Sequence, residues 1–435
     1  MAKHKVYSVC GMCTVRCPIQ VDVANNEVLF IQGNPHTALK GSLCARGAAG
    51  YALTQDDERP QYPMIREGKR GEGKWRRATW DEAFAYVAEK LKTIQTKYGK
   101  ESVIWSDRGG PFVDLHQGFV RGLGSPNYHN HDSACARGVQ HACKSVVGIG
   151  RKELVYDYKN CKHLVLQTRN ILEAINVAEV NAVLDSLDSG GKMTVIDVRA
   201  TVSAGKADNF FMVRPGTDYA FNLGVIHILI DQGKFDKEYV DKYVNGFDEL
   251  VKFIRPYTAQ WAAAECGISE KALRAFVDQI VEAAPAVIWH PGWMTARYQD
   301  SFHVSRTAYI INALLGSIGA KGGLPFANKP GDVGAKGLKK FVDLFPKPEG
   351  KRADGAGWKL PHIDAGPGLI NLAYDAIEND DPYPVRAYIC HRHDPMMAFP
   401  DPEALLKKWE KLELLVAITF SWSDTAWNAD VVLPI

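Results

Sequence analysis

The chain has 435 residues, 46% of them hydrophobic and 23% charged, a globular composition with room for roughly three domains and none for a largely disordered or fibrous chain. With 52 Lys and Arg against 50 Asp and Glu the net charge is +2, so the charge balance gives no reason to expect nucleic acid or an anionic membrane as the main partner. The longest apolar runs, 225–230 and 309–315, fall well short of the ~20 residues that cross a bilayer, so no transmembrane segment is expected. Met1-Ala2-Lys3-His4-Lys5 leads into a cysteine cluster with neither an apolar signal segment nor a twin-arginine motif. As written, this reads as a cytoplasmic or mature chain, periplasmic and membrane-associated if a twin-arginine signal was removed.

Nine cysteines are present, and Cys10, Cys13, Cys17 and Cys44 lie near the start. Three thiols this close in sequence are too crowded to pair among themselves without strain, and a chain of this length needs no staples. The spacing C-x2-C-x3-C with a distant fourth Cys suits a loop that wraps three corners of a [4Fe-4S] cubane while a remote segment supplies the fourth. Zinc also accepts four thiolates, but its structural sites usually come as two matched knuckles, so iron–sulfur is favoured. Pro18 fits an extended exit from the loop. Arg46, two residues past Cys44, is either a contact to a second redox cofactor or a surface cation.

Next, residues 21–32 read as strand, Asn25-Asn26 turn and strand. The basic, glycine-rich stretch 66–73 is a turn. Thr79-Trp80-Asp81-Glu82 opens a helix with Thr79 as N-cap and Ala83, Val87, Leu91 and Ile94 on one face, followed by a strand over 102–106. From residue 162 strands and helices alternate: strand 163–167, helix 174–187, strand 193–197, helix 219–232, helix 270–283, strand 286–290 and helix 303–315. That alternation predicts a parallel α/β sheet. A Gly/Pro/Lys-rich surface excursion over 331–367 precedes strands at 385–390 and 414–419. The apolar run 429–435 has no polar tail, so more protein is expected beyond it. Asp197, at a strand's carboxyl end, suits a ribose or base. Asp218 suits either that role or helix N-capping. No G-x-G-x-x-G or P-loop follows a strand.

The cysteine pattern with Cys44-Ala45-Arg46-Gly47, Tyr62-Pro63-Met64, Arg70-Gly71-Glu72-Gly73, Gly124-Ser125-Pro126-Asn127, Val195-Ile196-Asp197-Val198-Arg199, Arg214-Pro215-Gly216-Thr217-Asp218, Asn312-Ala313-Leu314-Leu315-Gly316 and Ala429-Asp430-Val431-Val432-Leu433-Pro434 resembles the molybdopterin oxidoreductases of the dimethyl sulfoxide reductase superfamily. Within it, Arg16-Cys17-Pro18-Ile19-Gln20 and Phe30-Ile31-Gln32-Gly33-Asn34-Pro35 resemble the thiosulfate and polysulfide reductase catalytic subunits. The resemblance implies a multidomain α/β fold: a small [4Fe-4S] β domain over 1–60, a discontinuous first α/β domain over 61–135 and 326–435, and a second over 136–325. It also implies a C-terminal dinucleotide-binding barrel domain absent from this sequence.

The implied cofactors are the [4Fe-4S] cluster on Cys10, Cys13, Cys17 and Cys44, and bis(molybdopterin guanine dinucleotide) carrying molybdenum or tungsten. Cys135 would be the metal ligand, a soft thiolate for a sulfur-rich sphere, with Cys143 as the competitor whose ordinary role is a small buried residue. Arg46, Asp197, Arg199, Asp218, Gly292, Gly322, Gly323, Asp424 and Thr425 fall where relatives bind the pterin or nucleotide. Arg137 would hold an anionic sulfur substrate, or pair with Asp132. Formate oxidation is disfavoured because Ala136 stands where such relatives carry His.

The implied partners are an iron–sulfur electron-transfer subunit and a membrane quinone-reactive subunit. Thr168, where relatives have Gly, and Asp394, where they have Asn, depart from the pattern. A different class of reading is an electron-transfer subunit of the same fold without a catalytic metal. Cys390-His391-Arg392-His393 looks like a ligand run, but alternate strand side chains point to opposite faces, which favours a structural or cofactor-lining role.

Overall fold

The computed structural model describes residues 3–13, 15–109, 112–131, 135–150, 153–174, 176–292, 299–327, 340–361 and 366–435. The chain divides into two units: Met1–Cys10, Val15–Ala48 and Cys135–Gly331 form the first, and Gly11–Thr14, Ala49–Ala134 and Asp332–Ile435 the second.

The first unit holds two sheets. Strands β1 (His4–Val9), β2 (Pro18–Ala24) and β3 (Glu27–Gly33) form an antiparallel meander. Asn25 and Asn26 turn the β2–β3 hairpin with φ of 52° and 67°, the left-handed pair that a tight two-residue hairpin needs and that asparagine tolerates. The second sheet, from β8 (His163–Gln167), β9 (Lys192–Asp197), β10 (Asn209–Met212) and β11 (Val287–Pro291), is all parallel in the order β10-β9-β8-β11. β8 and β11 are buried throughout and β9 from Met193 on, because both faces of the sheet are covered there, while the edge strand β10 leaves Phe210 and Met212 exposed. Val165 and Trp289 pack on one side with Phe221 and Phe276, while Leu164, Leu166 and Ile288 pack on the other with Val183 and Met193.

β11 is an edge strand of this sheet, and its outer backbone is satisfied by a side chain. Asn312, on the helix Ser301–Leu314, accepts from Trp289 N–H at 3.0 Å and donates to Trp289 O at 2.9 Å. This accounts physically for an Asn in the middle of an apolar helix. Asn312→Ala should strand both buried groups and lower stability by about 2–4 kcal/mol, since each unsatisfied buried backbone group costs about 1–3 kcal/mol. A urea titration checks this as a lower midpoint at unchanged slope.

The second unit is built on strands β4 (Met64–Arg66), β5 (Trp75–Arg77), β6 (Val103–Asp107), β7 (Tyr128–Asn130), β12 (Gly368–Leu369), β13 (Ala387–His391), β14 (Leu414–Thr419) and β15 (Val431–Pro434), in the order β12-β7-β6-β13-β14-β15-β4-β5. The first six in that order are mutually parallel, and the β4–β5 hairpin closes the far edge antiparallel. The expected N-cap is present: Thr79 Oγ1 accepts from Glu82 N–H at 3.2 Å at the head of the helix Trp80–Tyr98. Its buried face carries Ala83, Leu91 and Ile94.

Arg66 and Arg70, at the end of β4 and in the turn of the β4–β5 hairpin, both pair with Asp430, which is 4% exposed and also accepts from Leu415 N–H at 2.7 Å. The segment expected as a surface excursion lies partly outside the described residues, and part of the rest is interior. Ala353, Asp354 and Ala356 are buried. Asp354 can be, because Arg352 pairs with it at 2.6 Å and Leu369 N–H donates to it at 2.8 Å. Among the described residues no helix is long and apolar enough to cross a membrane.

Candidate cofactor sites

The β1–β2 ladder ends at Val9 and Pro18, so Cys10 and Cys17 flank the last rung, and Cys10 N–H donates to Cys17 O at 2.8 Å. Cys44 starts the short helix Ala45–Ala49 by accepting from Gly47 N–H at 2.9 Å. A Cβ on Gly47 would stand 3.5 Å from Cys10 Sγ and 2.5 Å from Leu43 Cδ1, so glycine there keeps space beside the sulfur. Asn181 Nδ2 donates to Ser42 Oγ at 3.0 Å, tying the Cys44 segment to the helix Val177–Asp188. All nine cysteines are free thiols. The donor set therefore suits an iron–sulfur cluster, although no three His, Cys, Asp or Glu side chains among the described residues already stand in coordinating geometry. Cys13, half-buried, belongs to the segment grouped with the second unit. Arg46 is exposed.

In the four-stranded sheet, β8 comes first in the chain, β9 and β10 are laid to one side and β11 to the other. The order reverses between β8 and β11, and in open α/β sheets the ligand crevice opens at such a reversal, outside the carboxyl ends. Gly292 follows β11 at that end, where a Cβ would lie 2.0 Å from Gln167 O and 2.4 Å from Thr168 O. Its glycine is thus required first by the neighbouring strand's backbone. Thr168 is buried at φ 49°, a left-handed conformation costly for a β-branched residue.

Asp197 ends β9, is 8% exposed and accepts from Val198 N–H at 2.7 Å, while Arg199 is exposed. Asp218 is fully buried as the first residue of the helix Asp218–Asp231. Thr217 holds the N-cap position without a side-chain capping bond, and Asp218 is the acid of the helix's first turn. Below these acids Gln167 donates to Asp218 O at 3.3 Å and accepts from Asn222 Nδ2 and Trp289 Nε1, each at 3.1 Å. This buried network joins β8, β11 and the helix, and reading the sequence for motifs missed it. Its only signal is a Gln, an Asn and a Trp set in apolar runs.

Gly322 and Gly323 part company with Gly292. Their Cβ positions would meet Asn160 O at 2.5 Å and Ser317 O at 2.3 Å, with Ala286 and Pro285 also close. Asn160, Pro285 and Ala286 precede β8 and β11, so these two glycines pack at the amino ends of the strands, opposite the crevice. A cradle made of all three is not what the structure brings together.

Cys135 is half-buried, just before the helix Arg137–Val147, and Arg137 is that helix's half-buried first residue. Asp132, the alternative partner of Arg137, lies outside the described residues. Cys143 is fully buried among Val139, Ala142, Leu154 and Tyr309, an ordinary core residue.

In the second unit Asp424 is exposed and Thr425 buried on the short helix Asp424–Trp427. The Thr425 hydroxyl donates to Asp394 Oδ1, so Asp394 anchors this segment. Cys390 and His391 do face opposite sides of β13. Ser106 Oγ donates to Cys390 Sγ at 3.9 Å, whereas His391 packs against the rings of His116 and Trp105. Burial pushes the Cys390 thiol up to about 12, so it stays protonated and is a poor metal ligand.

Two family models match the chain: the molybdopterin oxidoreductase Fe4S4 domain over residues 3–56 and molybdopterin oxidoreductase over residues 59–435. The chain belongs to the molybdopterin oxidoreductase family. It is 33% identical to the thiosulfate reductase molybdopterin-containing subunit PhsA of Salmonella typhimurium, across 98% of this chain and 57% of that one. It is 26% identical to the arsenate respiratory reductase molybdopterin-containing subunit ArrA of a Shewanella species, across 98% and 54%. The solved acetylene hydratase from Pelobacter acetylenicus shares the fold at a TM-score of 0.82 and 24% identity, covering 98% of this chain and 62% of that one. The chain thus spans between half and two thirds of the length of these relatives.

As a molybdopterin oxidoreductase chain it carries the binding domains for a [4Fe-4S] cluster and a molybdopterin cofactor. The residues fit both groups. Four free thiols include a pair brought together at one sheet end, and buried acids lie at the carboxyl ends beside the reversal of a parallel sheet.

Proposed function

We propose that the chain is the cofactor-binding portion of a molybdenum or tungsten oxidoreductase that carries out two-electron chemistry on an inorganic sulfur compound such as thiosulfate or polysulfide. The observation that carries the substrate class is the 33% identity to a thiosulfate reductase subunit over nearly the whole chain. Relatives that act on arsenate, formate or acetylene lie further off among those compared, at 26–27%. When bound, the pterin-held metal supplies the two-electron redox centre and the cluster passes the electrons on singly.

The protein's part is to bind and orient. Cys135 offers a soft thiolate ligand to the metal, Asp197 and Asp218 hold the nucleotide end of a cofactor, and Arg137 holds the anionic substrate through paired hydrogen bonds. Reductive cleavage of thiosulfate takes two electrons and one proton, breaks the sulfur–sulfur bond and releases sulfite and hydrosulfide. Electrons arrive through an iron–sulfur partner subunit and, in a membrane-associated assembly, from a quinone-reactive subunit.

The test is elemental analysis of anaerobically purified full-length protein together with thiosulfate and polysulfide reduction by wild type and Cys135→Ser. About four Fe and one Mo or W per chain, with turnover lowered by about 100-fold or more in the variant, is the expected result. Iron without Mo or W would instead identify an electron-transfer subunit.

A further inference from the structure

The helix Ser301–Leu314 carries a second stripe besides the one it turns to the core. His303, Arg306, Thr307, Ile310, Ala313 and Leu314 stand at i, i+3, i+4, i+7, i+10 and i+11, the spacing of one helical face. The stripe changes character along its length, polar for its first turn and apolar afterwards. From His303 to Leu314 it runs about 16 Å at about 1.5 Å per residue.

This face lines an open groove of about 1140 Å³, formed by residues 145–326 and so by the first unit alone. The helix Asp218–Asp231 lies alongside on the groove floor. The His303 and Tyr219 rings meet at one end, 5.7 Å apart, and at the other Asp236 N–H donates to Leu314 O at 2.8 Å. The helices Lys237–Tyr243 and Phe247–Ile254 form one wall, and the last turn of Arg137–Val147 belongs to the other. Tyr243, Phe253 and Phe326 rim the groove and are 61%, 47% and 58% exposed. Single exposed apolar residues are ordinary, but three gathered round one concavity mark a surface that excludes water when filled.

The two ends ask for different chemistry. At the Leu314 end the polar groups are already satisfied: Tyr239 OH donates to Ile318 O at 3.1 Å and Ser145 Oγ to Ala142 O at 2.8 Å. At the His303 end they are not. Arg306 and His303 are exposed, and neither side chain makes a hydrogen bond or ion pair among the described residues. Burial raises the Tyr219 pKa, so its hydroxyl stays a proton donor. Glu249 also lines the groove, from the helix Phe247–Ile254, and forms no ion pair with Arg306. A guanidinium, an imidazole and a phenol at one end call for an anionic head. The apolar remainder calls for an unbranched hydrocarbon tail, and a mostly apolar concavity of this size with a few convergent polar groups is the usual form of a small-molecule site.

We propose that this groove binds a single-chain carboxylate, a free fatty acid of medium chain length, with its head at Arg306, His303 and Tyr219 and its tail along Ile310 towards Leu314. The inference goes beyond the proposed activity, since none of these residues is assigned to the cluster, the pterin or the metal.

Equilibrium dialysis of the purified full-length protein against octanoate, dodecanoate and 1-dodecanol, each below its micelle concentration, tests it. Arg306→Gln and Tyr243→Ser accompany the wild type, with circular dichroism confirming that each is folded. Dodecanoate should bind saturably. Affinity should rise about threefold to fourfold per added CH2, so about 100-fold from octanoate to dodecanoate. Arg306→Gln should weaken dodecanoate tenfold or more and leave 1-dodecanol unchanged, whereas Tyr243→Ser, at the tail end, should weaken dodecanoate and leave octanoate unchanged. Failure of dodecanoate to bind wild type would mean that protein, a further segment or a second copy, covers the groove, and overturns the inference. Affinity independent of chain length, or equal in wild type and Arg306→Gln, overturns it as well. None of these outcomes bears on metal content or on the Cys135→Ser assay, so the two proposals fail separately.

Discussion

Gly292→Ala should be among the most damaging single-atom additions to this chain. The new methyl would lie 2.0 Å from Gln167 O and 2.4 Å from Thr168 O. Both are backbone atoms at the end of β8 and cannot swing aside as a side chain tip can. To make room β8 and β11 must separate at their carboxyl ends, which strains the β8–β11 ladder and disturbs the buried Gln167–Trp289 bond. Overpacking of this kind costs about 3 kcal/mol or more, which for a unit of this size lowers the thermal midpoint by roughly 6–12 °C. Gly205→Ala is the matched control: nothing lies within 4 Å of its Cβ position and its φ is not left-handed, so its effect should stay within about 0.5 kcal/mol. Equal midpoints for the two variants would show that the strand ends spread freely, and the tight-crevice description would fall.

Cys17→Ala should remove most of the iron. Cys17 is 4% exposed and its carbonyl is already tied to Cys10 N–H, so the backbone of the pair survives while one of four thiolates is lost. A cubane left with three protein ligands is open to solvent and to oxidative loss, and iron per chain should fall from about four to less than about half of that. The reduced protein should lose its iron–sulfur EPR signal in parallel. Cys143→Ala should leave iron unchanged, since Cys143 is enclosed by apolar side chains of the first unit. Iron retained in Cys17→Ala, or lost in Cys143→Ala, would mean that the cluster is held by a different set of thiols.

The strands and helices around the crevice of the first unit were legible because burial writes an apolar centre into the strands and an apolar face at helical spacing, Leu273, Phe276, Val277 and Ile280, into a helix such as Glu270–Ala283. The strand expected over 163–167 is His163–Gln167, and the helix expected over 270–283 is Glu270–Ala283. β1 was not foreseen: all six of its residues are exposed, so no buried face imposes a pattern on them. The spacing of the cysteines carried the cluster assignment, since a loop motif is local. The glycines did not sort themselves so easily. Gly292, Gly322 and Gly323 look alike in sequence, yet one serves a crevice and two serve the opposite end of the same sheet, a distinction set by which backbone each one meets in the folded sheet.

The hairpin β4–β5 pairs with β15, and the Arg66–Asp430 contact joins residues 364 positions apart. The four-stranded sheet of the first unit, by contrast, is complete within residues 163–291. On the ribosome the β4–β5 hairpin therefore waits, one edge unpaired, until β15 emerges, while the four-stranded sheet has all its strands earlier. Until its partner strand emerges, the early hairpin presents an unpaired strand edge, the kind of feature that chaperones shield.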